Sequence, residues 1–163
     1  MAADNPLSKL LANLEDFHPV TRKRAIKNLA YLGDKSVIPK LTEMLLKDGS
    51  ALVRQAAAQC FQKGLSDQSS VPALIQALKD TDESVRGAAA SALGTIKDRS
   101  AVADLCAALN DESQHVRWLI AFNLAKIGDK SAIGALTKLI ADPDEIINIK
   151  DAAKEALRQL RIC

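Results

Sequence analysis

The sequence repeats itself with a period of about 32 residues, and that periodicity limits what the chain can fold into more than any other feature. The pairs Val53-Arg54, Val85-Arg86, Val116-Arg117 and Ile149-Lys150 are separated by 32, 31 and 33 residues, with Thr21-Arg22 as a degenerate first copy. The same block follows each pair, most plainly in VRGAAASALGTIKD (85–98) and VRWLIAFNLAKIGD (116–129). A second block alternates with it: SVIPKLTEMLLKD (36–48), SVPALIQALKD (70–80), AVADLCAALND (101–111) and AIGALTKLIAD (132–142). Five units follow, 6–34, 35–67, 68–98, 99–129 and 130–163, covering nearly the whole of a 163-residue chain. A unit this short cannot enclose its own apolar face, so neighbours must stack and share a continuous core.

Both blocks read as helix. In the first, Val37, Leu41, Met44 and Leu45, or Val102, Leu105 and Leu109, recur at the spacing of one helical face; in the second, Val85, Ala89, Ala92, Leu93 and Ile96 do so. The many alanines favour helix and let neighbouring helices approach closely. Gly33 and Gly128, each followed directly by an aspartate, and Gly94, four residues before Asp98, predict helix ends leading into capped turns. The fold class is therefore all-α, a right-handed α-solenoid of five two-helix repeats forming a single domain. A charge pattern has the same period. Asp16, Asp48, Asp80 and Asp111 each precede Arg22, Arg54, Arg86 and Arg117 by six residues, and Asp144 precedes Lys150 likewise. Charges at fixed phase in a stacked array predict a structural ladder, each arginine meeting an aspartate of its own or a neighbouring unit.

The six-residue Asp-to-Arg phase, the Val-Arg-x-x-Ala-Ala-x-Ala-Leu-Gly-x-Ile core and the Gly-Asp turns resemble HEAT repeats, in the short form called phycobilisome-lyase HEAT-like repeats. The likeness extends over all five units and is strongest in the third and fourth. The first and last, TRKRAIKNLAYLGD (21–34) and IKDAAKEALRQL (149–160), depart from it as end units facing solvent should. The resemblance implies that the Val-Arg helices line a concave groove where partners bind. Read along that groove, unit one offers Val20, Lys23, Arg24, Lys27 and Tyr31, and unit two offers Leu52, Gln55, Gln59 and Lys63. Unit three offers only small residues, Ser84, Gly87, Ala88, Ser91 and Thr95. Unit four carries His115, Trp118, Leu119, Phe122 and Lys126, and unit five Asn148, Asp151, Glu155 and Gln159. The groove runs from basic through small to aromatic to acidic, and Lys27, Tyr31, Gln59, Ser91, His115, Trp118, Leu119 and Phe122 are its candidate binding residues.

The sole tryptophan, Trp118, and Phe122 lie four apart on a helix whose core positions are taken by Val116, Ile120, Leu124 and Ile127. They are read either as an exposed hot spot or as packing against unit five. No catalytic constellation is found. Cys60 falls where Ala92 and Asn123 stand, Cys106 adjoins Leu105, and Cys163 ends the chain; none is placed near His18 or His115. The two histidines have no metal-ligand spacing, which argues against the metal-binding HEAT hydroxylases, and no metal or cofactor is expected. With 22 Lys and Arg against 20 Asp and Glu, only unit one is basic enough for nucleic acid, so no nucleic-acid partner is expected. No apolar run is long enough to span a membrane and no secretion signal opens the chain, so a cytoplasmic protein is expected.

These observations predict a non-catalytic protein-protein interaction scaffold that takes another protein or a peptide segment in its groove. The family resemblance implies an alternative, a bilin lyase-like subunit or phycobilisome-associated factor that binds a tetrapyrrole or a phycobiliprotein. Ile146, Ile147, Leu157, Leu160 and Ile162 raise a further alternative: the last helix folds its apolar side onto unit four, or it joins another chain in a terminal-helix dimer.

Overall fold

The computed structural model describes residues 6–162, in which helices alternate between two layers. The first layer holds α1 (Pro6–Asn13), α3 (Ile38–Lys47), α5 (Val71–Ala77), α7 (Val102–Ala107) and α9 (Ile133–Ala141). The second holds α2 (Pro19–Leu32), α4 (Ala51–Lys63), α6 (Glu83–Ile96), α8 (Gln114–Ile127) and α10 (Ile147–Ile162). The described residues contain no strand. The resulting α-solenoid is continuous, its core formed by Leu41, Leu74, Leu105 and Leu136 from one layer and Val53, Val85, Val116 and Ile149 from the other, none more than 1% exposed.

Unit boundaries are cut by side-chain caps. Asp34, Asp67, Asp98 and Asp129 accept from the backbone N–H of Ser36, Ser69, Ser100 and Ser131 at 2.9–3.0 Å, each opening a 3-10 turn that leads into the next first-layer helix. Helix ends differ from the sequence expectation in one respect. Gly33 and Gly128 do stop α2 and α8 in the left-handed conformation, with φ of 69° and 75°. Gly94, however, lies within α6, and the left-handed stop there is Lys97 at φ 59°. Gly94 serves close approach instead: a Cβ on it would stand 2.1 Å from Asn123 Oδ1 of the following helix. A glycine late in a helical pattern signals either a C-cap or a tight crossing, and the sequence alone does not separate the two.

The two layers pack unequally. Consecutive second-layer helices lie against one another along their lengths, an approach made close by Ala56, Ala57, Ala88, Ala89, Gly87 and Gly94. First-layer helices splay, leaving wedges of about 530 Å³ between α3 and α5 and about 540 Å³ between α7 and α9. An array tight in one layer and open in the other must curve toward the tight side. The second layer is therefore concave.

The charged ladder runs between units. Arg22, Arg54 and Arg86 each make paired bonds to the carboxylate of the next unit's aspartate, Asp48, Asp80 and Asp111, at 2.7–2.9 Å. Each also donates to the backbone carbonyl of its own unit's aspartate, Asp16, Asp48 and Asp80, at 2.8–2.9 Å. Each interior aspartate thus holds two arginines, one by carboxylate and one by carbonyl, and also caps its own turn through Ser50, Asp82 or Ser113 N–H. The fourth rung corrects the expected role of Asp144. Asp142, which ends α9, stands eight residues before Lys150 where Asp48, Asp80 and Asp111 stand six before their arginines, and Glu145 enters as the partner of Arg117 at 2.6 and 2.8 Å, while Asp144 is exposed.

At the chain's end, Leu157 and Leu160 are buried under α8 and α9, so α10 folds its apolar side inward, while Ile146 and Ile147 remain exposed. The outer side of α10 carries Asp151–Lys154 and Glu155–Arg158 ion pairs where inner units present Ala and Gly. Cys163 and the side chain of Ile162 lie outside the described residues.

Candidate functional site: the concave groove

Two depressions occupy the concave face and share Gln59. The first, about 300 Å³, lies between α2 and α4 and is lined by Lys27, Ala30, Tyr31, Ala56, Gln59, Cys60 and Lys63. The second, about 280 Å³, crosses α4, α6 and α8 and brings together Gln55, Gln59, Gln62, Ser84, Gly87, Ala88, Ser91, His115 and Leu119 with Glu83 at its edge. Six of the candidate residues, Lys27, Tyr31, Gln59, Ser91, His115 and Leu119, thus line one continuous path. Gln62, Ala30 and Cys60 join it without having been singled out for it. Their helical phase lies beside the positions read as groove, and close helix spacing brings backbone and flank into the floor.

The small residues of α6 explain the second depression. Gly87 has no side chain, and Leu119 of the next helix leans over it so closely that a Cβ would meet Leu119 Cδ1 at 2.9 Å. Leu119 is therefore half-buried as a wall, with Ser91 and Ala88 as floor. Trp118 and Phe122 lie beyond this path. Their rings stack on each other with centroids 5.5 Å apart and planes 6° from parallel, and Lys126 Nζ sits 4.6 Å above the Phe122 ring. The three side chains form a column at i, i+4 and i+8 along α8. Trp118 and Phe122 are 38% and 44% exposed, as the sequence reading of partly exposed aromatics expects.

Among the described residues burial disfavours the thiolate of both cysteines. Burial pushes Cys60 up to about 12, against the pull of Lys27 and Lys63, and its Sγ donates to Ile26 O at 3.4 Å. Cys106 is likewise raised by burial and by Asp129. Both shifts run against the lowered value that activates a cysteine nucleophile. Among the described residues no group of three or more His, Cys, Asp or Glu is disposed to hold a metal ion, and no helix is long and apolar enough to cross a membrane.

Two packed helical layers, a repeated inter-unit ladder and a concave second-layer face define the class: an α-solenoid of stacked two-helix repeats. The family model for HEAT repeats matches residues 7–63, 38–117 and 71–158, and the chain belongs to the HEAT-repeat family. No curated protein matches it significantly. Among solved structures, the chain is similar to one in the complex of CpcE and CpcF of phycocyanin lyase from Nostoc sp. PCC7120, with a TM-score of 0.80 and 24% identity over 100% of this chain and 69% of that one. It is also similar to a designed armadillo repeat protein in complex with the peptide (KR)4, with a TM-score of 0.70 and 20% identity over 94% and 81% of the two chains. Human deoxyhypusine hydroxylase follows with a TM-score of 0.68 and 19% identity over 96% and 74%. At these identities the likeness is one of fold.

Proposed function

We propose that the protein is a non-catalytic scaffold that binds a segment of another protein along its concave groove. The observation that carries this reading is the unbroken path from Lys27 and Tyr31 through Gln59 to Ser91, His115 and Leu119, with an exposed aromatic column at its far side. Depressions that are open, shallow and lined by amides, small residues and a few aromatics suit an extended chain better than a reacting centre. Trp118 and Phe122 supply apolar contact at low entropic cost. The test is a pull-down from the source organism's lysate with the wild-type protein, with Trp118→Ala/Phe122→Ala, and with the first-layer control Lys79→Ala. A colourless protein partner retained by the control and lost by the double variant supports the reading; retention by all three opposes it.

A second reading is favoured by the likeness to the phycocyanin lyase chain over the full length of this one. In it the groove holds an open-chain tetrapyrrole or a phycobiliprotein, with Tyr31 beside the pigment and Lys27 and Lys63 toward its propionates. Visible absorbance in the same eluates distinguishes it: pigment in the wild-type fraction moves this reading to the front. Association of two copies through the exposed Ile146 and Ile147 is a separate proposal, and sedimentation showing only monomer at micromolar concentration ends it.

A further inference from the structure

At the basic end of the groove several cations without a carboxylate partner stand close together. Arg22, Lys35, Lys40, Lys47 and Arg54 of the first two units each have a carboxylate within 4.0 Å. Among the described residues of these units Lys9, Lys23, Arg24, Lys27 and Lys63 have none; Lys9 lies on α1, and the other four stand on α2 and α4. Lys27 of α2 and Lys63 of α4 both line the first depression, over a floor of Ala30, Ala56 and the buried Cys60 thiol. Lys23 and Arg24 stand one turn earlier on α2. Farther along, the groove loses its cations over Gly87 and Ser91, reaches the Trp118–Phe122 column, and meets Asp151 and Glu155 on α10.

We propose that the depression between α2 and α4 anchors the acidic residues of the bound protein segment. Its occupant is an extended stretch with two or more Asp or Glu at one end, followed by small or apolar residues that lie over Gly87 and Ser91 and finish against Trp118 and Phe122. The inference rests on the groove reading above and names the partner's chemistry. Unpaired cations beside an apolar floor attract a carboxylate on a hydrocarbon stem, and the charge gradient sets the direction in which the segment lies. A nucleic-acid strand fits less well, because its charge is uniform along its length whereas the cations that line the groove stand at its α2–α4 end.

The test uses the full chain and a phage-displayed library of random 12-residue peptides. The expected result is a set of binders with Asp and Glu clustered at one end. Synthetic copies should bind Lys27→Glu/Lys63→Glu about tenfold or more weakly, and the milder Lys27→Gln/Lys63→Gln less weakly, with circular dichroism unchanged since both lysines are exposed. Raising salt should weaken the wild type more than the reversed variant. Binders that depend on Trp118 and Phe122 but show no acidic cluster and ignore both lysine variants overturn the anchor and leave the groove reading standing. Binders indifferent to the lysine and aromatic variants alike overturn both. Displacement of the acidic peptides by a 12-nucleotide single strand at equal or lower concentration overturns the anchor in favour of nucleic acid.

Discussion

Arg86→Ala tests whether the ladder holds the array together. Arg86 is the most enclosed of the four paired arginines, its side chain 7% exposed against 16%, 14% and 17% for Arg22, Arg54 and Arg117. Truncation deletes bonds of 2.7 and 2.9 Å to Asp111, 3.2 Å to Glu112, and 2.9 and 3.3 Å to the carbonyls of Asp80 and Thr81. It also leaves the Asp111 carboxylate, 7% exposed, with only the Ser113 N–H at 2.8 Å. Breaking one side of a buried pair costs about 3–5 kcal/mol. The ladder runs along an edge where water can reach an orphaned carboxylate, so the lower end, about 3 kcal/mol, is expected. At about 2–4 °C per kcal/mol for a chain of this size, Tm falls by about 6–12 °C. Arg99→Ala is the control, since its side chain is 74% exposed and 3.9 Å from Asp129, and it should cost well under about 1 kcal/mol. Adding Asp111→Asn to Arg86→Ala removes the stranded charge, preserves an acceptor for Ser113, and should recover part of the loss. Scanning calorimetry and urea titration read all four proteins. Equal melting temperatures for Arg86→Ala and Arg99→Ala would refute the ladder's stabilising role.

Three further outcomes follow from particular contacts. Gly94→Ala should destabilise by about 2–3 kcal/mol, because its Cβ would stand 2.1 Å from Asn123 Oδ1 and 2.5 Å from Asn123 Cβ, and Asn123→Gly, which removes both atoms, should cost less in the Gly94→Ala background than in the wild type; independent, additive effects of the two substitutions in thermal melts would contradict the crossing geometry. Lys97→Gly should raise stability by about 0.5–1 kcal/mol, since it places at φ 59° the residue that already stops α2 and α8, whereas Gly128→Ala should lower it by about 1 kcal/mol; denaturant midpoints that move the other way oppose this. Acid should unfold the protein from about pH 4 downward. At Asp48 and Asp80 burial raises the carboxyl but is outweighed by the facing arginine and a turn N–H, while at Glu145 the bond from Arg117 leads the lowering. Asp67, held by the Ser69 N–H and by Lys35, is lowered to about 2. Folded values below the unfolded ones mean that the stabilisation is complete above the ordinary carboxylate range and is lost as pH falls through the depressed values. A Tm flat from pH 7 to 5 and falling below about pH 4 is expected; a Tm that rises between pH 5 and 3 contradicts it.

The parts of this structure that repeat were legible in the sequence, because a phase shared by several units leaves few stackings that satisfy it. The Val-Arg helices, the Leu41-to-Leu136 core and the existence of a ladder all came from phase alone. Details set by the spacing between units were not. Arg54 has an aspartate six residues before it and another in the next unit, and only the rise between helices decides that carboxylate and carbonyl are shared between them. Gly94 carries the same letter as Gly33 and Gly128 but answers to Asn123 rather than to a helix end. Two extra residues between Asp142 and Lys150 put Glu145 rather than an aspartate opposite Arg117, a change no pattern of aspartates contains. At the groove, the candidate residues were found by phase. Neither reading of Trp118 and Phe122 anticipated that the two rings would take each other and Lys126 as neighbours.

The central claim is that the partner lies on the second-layer face, and site-specific photocrosslinking tests it most directly. p-Benzoylphenylalanine placed at Gln59, where the two depressions meet, or at the exposed first-layer position Ala103, is irradiated in the source organism's lysate. The account predicts a discrete protein adduct from Gln59 and none from Ala103. Adducts from Ala103 with none from Gln59 would contradict it and place binding on the convex face.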